Sequence, residues 1–463
     1  MTRHHNGSKQ RSNHPPVSAS PAWRIVIALL IIQSLAPGHA GSSDQIPAKP
    51  QDRPIAIVGG TIHPVTSAPV QNGTILFDGG KIVAIGSTVS VPQNAETLRV
   101  DGKHVYPGLI SADTYIGLIE IGAVRASNDR AEVGGINPNV RAETAINPES
   151  ELIPVARANG IVIAVVAPSG GLITGMSAAI HMDGWTWEEM TLKAPAALNV
   201  HWPDMTLPPL ATGAAAAAAI SRRDSTLEVL QNAFRDARAY MNAKLAEGRK
   251  DVPYHDIDQR WEAMIPVLRG EVPVVVWANE ARQIQAAIAW AERENLRLII
   301  GGGHDAWRVA DRLRQKNIPV LVGGVHRLPG RRFEPYDTPF ALPGRLHRSG
   351  VAFAIITATS APHERNLPYH AATAAAYDLP REEALKAVTL YPAQIFGIDD
   401  RVGSLEVGKD ATLIVTTEDP LEITSQVEME FIQGRRIDLT SRHTMLYEKY
   451  REKYSRQKST DRH

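Results

Sequence analysis

The stretch Pro107-Gly108-Leu109-Ile110-Ser111-Ala112-Asp113-Thr114-Tyr115 stands where the chain changes character, and its reading decides the fold. Upstream, the sequence is built from short, closely spaced β segments: 55–58, 74–77, 82–85, 97–100 and 104–106 are strand-sized runs. Asp78-Gly79-Gly80-Lys81 and Asp101-Gly102 lie between them as turn signals, since glycine admits the positive φ that a tight hairpin needs. Strands this short imply a small antiparallel sheet or sandwich.

Downstream, strands alternate with helices. Residues 160–167, 272–278, 296–300, 319–322 and 350–357 read as buried strands. Between them, 280–294 places Ile284, Ala287, Ile288 and Ala291 on one helical face, with Asn295 as its stop. Residues 305–316 do the same with Ala306, Val309, Ala310 and Leu313. Asn147 with Pro148 marks a helix start, and Ser225-Thr226-Leu227-Glu228 is a capping box for a helix whose core positions run from Leu227 to Leu245. Helical stretches follow at 364–377 and 380–390. Consecutive βα units imply parallel strands, in a barrel or an open sheet. No Gly-x-Gly-x-x-Gly opens a helix after the first strand, which argues against a dinucleotide fold. After Phe396 the β signals return at 411–416 and 427–432, and a polar helical tail closes the chain.

With 463 residues, the chain suits a large barrel plus an accessory domain. Lys+Arg and Asp+Glu are both 49, so no basic excess points to nucleic acid. The basic run 327–332 reads as a solvated loop. Cysteine is absent, which removes disulfides, thiolate metal sites and thiol nucleophiles. At the N-terminus, Arg3, Lys9, Arg11 and Arg24 flank the apolar run 25–32, and Gly38-His39-Ala40 precedes Gly41. This is the pattern of a secretory signal over 1–40, giving an exported, periplasmic protein. The apolar run is too short to span a bilayer.

Several segments together resemble the amidohydrolase superfamily, in its imidazolonepropionase-like and dihydroorotase-like branch. Pro107-Gly108-Leu109-Ile110 is similar to the start of that family's barrel. Gly403-Ser404-Leu405-Glu406-Val407-Gly408-Lys409-Asp410-Ala411 is similar to its C-terminal signature. Residues 380–393 and Asp419-Pro420-Leu421 resemble further pieces in the same order. The resemblance implies an α/β fold: a (β/α)8 TIM-like barrel over 107–396, with a small β-sandwich made from the N- and C-terminal segments 54–106 and 397–438. Residues 41–53 are then a linker and 439–463 a tail.

The family binds a catalytic metal through strand-end histidines, and here those positions differ. Asp113 and Tyr115 stand where the family has its His-x-His pair. Trp277 stands at the next histidine, Gly302 at the following one, with His304 two residues on. Thr359-Ser360 replaces the usual Thr-Asp. A catalytic zinc needs about three protein ligands, and Trp cannot ligate. No cofactor is therefore expected, and zinc only through relocated ligands such as His181, His201, His304 or His326. Lys193 is the nearest candidate for a carbamate lysine. The resemblance implies a hydrolase of non-peptide C–N bonds in a small substrate, with Asp113 and His304 as catalytic candidates. Tyr115, Trp277, Ser360, His363 and Asn366 are binding candidates. The contrasting expectation is an inactive barrel acting as a binding or scaffold protein. A small-molecule ligand is expected in either case, and a homo-oligomer is left open.

Overall fold

In the computed structural model, residues 45–207, 212–247, 253–358 and 361–460 are described. The expected signal segment 1–40, Thr359 and Ser360 lie outside them. Five short strands come first: β1 (Ile55–Ile62), β2 (Val70–Asp78), β3 (Lys81–Gly86), β4 (Glu96–Arg99) and β5 (His104–Pro107). Three more close the chain's β content: β14 (Leu413–Thr416), β15 (Val427–Ile432) and β16 (Arg435–Arg436). The two groups form one sheet, because β14 pairs antiparallel with β5. Phe77 on β2 and Phe431 on β15 are separated by three strands in that sheet, yet their rings meet edge-on at 5.1 Å. The sheet therefore rolls over onto itself as a sandwich does, enclosing Ile57, Ile62, Ile75, Phe77, Val105 and Leu413. The chain between β2 and β3 turns on Gly79 and Gly80, both at positive φ.

Between these groups runs the second sheet: β6 (Leu109–Thr114), β7 (Ile161–Val166), β8 (Ile173–His181), β9 (Thr191–His201), β10 (Val274–Ala278), β11 (Leu298–Gly302), β12 (Val320–Gly323) and β13 (Phe353–Ile356). They neighbour one another in sequence order, as in a (β/α)8 barrel. β7, β8 and β10 to β13 are almost wholly buried runs, as strands covered on both faces must be. One strand departs from the parallel expectation. β8 runs antiparallel to both β7 and β9, because the short connection 167–172 carries Gly170 and Gly171 at positive φ and turns the chain straight back.

Helices cover the outside. α1 (Leu152–Arg157) precedes β7, and the single turn α2 (Trp187–Met190) precedes β9. α3 (Gly213–Ala246) and α4 (Gln259–Leu268) lead to β10. α5 (Ala281–Glu294), α6 (Ala310–Gln315) and α7 (Thr338–Arg348) connect β10 through β13. α8 (Leu367–Ala376), α9 (Arg381–Lys386) and α10 (Leu390–Phe396) follow, and α11 (Arg442–Thr460) is the last helix among the described residues. α5 matches its sequence reading closely: Gln283 caps its start and Asn295 ends it in the left-handed conformation. Two other expectations are corrected. The helix expected from Ser225 begins at Gly213, because the alanine run joins it without a break, and Leu245 at its far end is exposed. Asn147 caps a turn, its Oδ1 accepting from Glu149 N–H at 3.1 Å, and α1 starts only at Leu152. No helix among the described residues is long and apolar enough to cross a membrane.

β6 and β13 lie side by side but share no strand ladder. The segment between α9 and α10 stitches them instead. Ile110 N–H donates to Val388 O at 2.8 Å, and Ile355 N–H to Ala387 O at 3.0 Å. A side chain completes the seam. Glu364, in the 3-10 turn Ala361–Asn366, accepts from Ser111 on β6 at 2.6 Å and from Thr357 just past β13 at 2.9 Å.

Candidate active site

The C-terminal ends of the parallel strands form one face of the barrel, where catalytic groups of this architecture sit. β6 carries Ser111 and Asp113, with Tyr115 just past its end, and its pairing with β7 shifts register between Ser111 and Thr114. Ser111 is fully buried, whereas Asp113 and Tyr115 are half-buried. Burial and then the neighbouring Glu364 carboxyl raise Asp113 well above the usual carboxylate range. Glu364 has no exposed surface, and burial pushes it up to about 7 against the hydrogen bonds from Ser111, Thr357 and Thr114. Burial of both carboxyls, with the Glu364 charge acting on Asp113, favours their protonated forms. Tyr115 has the Arg130 guanidinium 5.5 Å from its ring centre.

Farther along the sheet, Trp277 of β10 lies with its indole against Gly301, where a Cβ would stand 2.7 Å from the ring. Its Nε1 donates to Asn199 at 3.3 Å, and its ring stacks on His201 at 6.0 Å. Both partners belong to β9. Burial holds the His201 imidazole below its ordinary value.

His304 follows β11 and is half-buried. Burial, then the Arg327 charge, pushes it down to about 4, so it is neutral at pH 7. Behind it Asp305 accepts both terminal nitrogens of Arg331, at 2.8 and 2.5 Å, and Arg331 also pairs with Glu334 at 2.6 Å. The run 327–332 is thus only partly the solvated loop expected of it: Arg331 is locked by two carboxylates, and Arg327 is half-buried.

The remaining candidates are dispersed. His363 is exposed, and Asn366 is half-buried at the start of α8. His326 is exposed and meets Thr373 at 2.8 Å. His181 is buried at the end of the antiparallel β8, among Asp410, Arg401 and Arg435, where burial pushes it down to about 3. Lys193 Nζ donates to the last carbonyls of α10, Phe396 O at 2.7 Å and Gly397 O at 3.2 Å, and so serves as a helix cap. A cavity of about 1300 Å³ opens at the opposite end of the barrel, among Pro273, Leu298, Pro319 and Phe353. It lies at the strand starts, away from these groups.

Glu364 and Arg327 stand outside the positions that the family resemblance marks for the site. Among the described residues no three His, Asp or Glu side chains converge as ligands, and Trp277 lies at the end of β10.

The fold is a barrel with its candidate groups at the strand ends. The Amidohydrolase family profile matches residues 339–437. The amidohydrolase tasK of Hapsidospora irregularis is 21% identical over 388 residues, covering 78% of this chain. The chain spans 39% of that relative's length. The crystal structure of an amidohydrolase from Thermotoga maritima is 28% identical and superposes with a TM-score of 0.74 over 83% of this chain and 99% of that one. A molinate hydrolase shares the fold at 16% identity, with a TM-score of 0.51 over 85% of this chain and 96% of its own. These matches in sequence and in fold support a place for the chain in the amidohydrolase superfamily.

Proposed function

We propose that this protein hydrolyses a C–N bond, other than a peptide bond, in a small substrate by carboxyl chemistry that uses no resident metal. The observation that carries this is Asp113: a half-open carboxyl at the end of the first barrel strand, its proton affinity raised by burial and by the sealed Glu364 behind it. Asp113 is the catalytic residue and Glu364 a positioning residue. The form with Asp113 ionised acts as base. Asp113 takes a proton from water as the water oxygen bonds to the acyl carbon. The C–N bond then breaks, Asp113 returns the proton to the leaving nitrogen, and a carboxylic acid and an amine depart. We also propose that residues 1–40 direct export, so that the mature chain begins near Gly41; N-terminal sequencing of exported protein tests this.

The experiment is hydrolysis of a panel of N-acyl compounds by protein treated with chelator and checked by elemental analysis. Activity that survives chelation and falls by roughly 100-fold or more in Asp113→Asn, with the fold retained, is expected. Stoichiometric zinc whose removal abolishes activity would overturn the reading, as would an unaffected Asp113→Asn. Glu364→Gln removes the charge that raises Asp113, so the pH profile of activity moves to lower pH. A purely structural Glu364 would leave that profile in place.

A further inference from the structure

We infer that Arg327 is an anion-recognition group at the barrel mouth, and that the substrate carries a carboxylate close to its scissile bond. This rests on the hydrolytic reading of the same mouth and adds to it the class of substrate.

The argument begins with charge. Asp305 and Glu334 face two guanidinium groups, Arg331 at 2.5 and 2.6 Å and Arg308 at 3.4 and 3.8 Å. Those two carboxylates and two cations balance. Arg327 lies near the same carboxylates as a further cation, and His304 beside it is neutral at pH 7. The group therefore presents one excess positive charge. Arg327 is also poorly satisfied. Among the described residues its one direct bond is from Nη1 to Leu328 O at 3.3 Å, and its buried Nε finds no acceptor there. A buried guanidinium N–H left unpaired is costly, and a carboxylate relieves it with two parallel bonds.

Position supplies the rest. The Arg327 stem lies over Gly324: a Cβ built there would stand 3.9 Å from Arg327 Cδ and 3.5 Å from Thr357 O. Thr357 is the residue whose hydroxyl holds Glu364. Arg327 and the residue that holds Glu364 thus meet at one glycine, and Glu364 in turn holds Ser111 on the strand that carries Asp113. Arg130, exposed over the Tyr115 ring, adds a second cation at the rim.

The test is ligand-observed NMR on the full chain with a panel of N-acetyl amino acids and their matched amides. The free acids are expected to bind at least about 10-fold tighter than the amides, and Arg327→Ala to abolish that preference while near-UV circular dichroism stays unchanged. Arg327→Lys keeps the charge without the fork and retains part of the preference. The proposal is overturned if no acid in the panel outbinds its amide, or if Arg327→Ala leaves the preference intact. Failure of the hydrolytic reading is distinguishable: the acids would then bind through Arg327 in both wild type and Asp113→Asn, and none would be cleaved.

Discussion

Replacing Glu364 with glutamine tests the carboxyl pair through stability alone, without knowledge of a substrate. Glu364 is fully buried, and its carboxyl moves from an ordinary 4.5 to about 7 in the fold. The folded state therefore keeps a proton that the unfolded chain releases as pH rises through 4.5. More protons bound in the folded state means that stability falls with rising pH, from about 4.5 to about 7, and then levels off. At about 1.4 kcal/mol per tenfold change in proton affinity, the folded state loses about 3 kcal/mol once Glu364 is ionised. The Glu364→Gln side chain has the same shape, no titration, and an amide that Ser111 and Thr357 can meet by rotating their hydroxyls. The stability of the variant relative to wild type should thus rise by about 3 kcal/mol between about pH 4 and about pH 8. Asp113 and Glu430 are also raised by burial. Glu430 contributes equally to both proteins, and the part of Asp113 that depends on Glu364 is isolated by repeating the comparison in an Asp113→Asn background. Calorimetry at matched scan rates across that range is the assay. A stability difference that does not change with pH would refute the claim that Glu364 takes up its proton near neutrality.

Thr357→Val removes a hydroxyl that favours the ionised Glu364; it should cost about 1 kcal/mol at neutral pH and push the Glu364 transition higher, as read from the same calorimetric profile. Asp183 accepts from buried Arg157 at 2.8 Å, lies 3.3 Å from Arg435 and accepts from Ala48 N–H at 3.1 Å. Asp183→Ala strands these cations in the interior and should destabilise by about 3–5 kcal/mol in denaturant unfolding. Gly301→Ala drives a methyl to within 2.7 Å of the Trp277 ring; it should cost about 1–3 kcal/mol and alter the near-UV tryptophan spectrum, and an unchanged spectrum would argue against this packing.

Strands were legible wherever burial on both faces forced a continuous apolar run, as in Val274–Ala278 and Phe353–Ile356. Strand β8 was not, because Ile173–His181 is rich in small residues and carries Gly175. Its reversed direction is set by a two-glycine turn, which no strand propensity encodes. The two-ended sheet could be anticipated from apolar runs on both sides of the barrel, but not its rolled path, which depends on Phe77 meeting Phe431. Asp113 could be named from its motif. The carboxyl that raises its proton affinity could not, since Glu364 reaches β6 through Ser111 across 253 residues of chain. Arg327 was hidden for a related reason: in sequence it is one of several arginines, and only the packing over Gly324 separates it from those that pair locally.

The stitched seam between β6 and β13 also bears on how the chain is made. β6 emerges early in synthesis with β7 to cover one side, while its other side waits for Val388. Until then it is an open edge with backbone donors exposed, and so is β13 once it forms. Ile110 donates across the long loop of chain to Val388, a separation that places closure among the slow, non-local steps of folding. A ribosome-bound chain stopped just short of Ala387 would hold a nearly complete barrel with two unpaired edges, the condition under which sheets join to foreign strands.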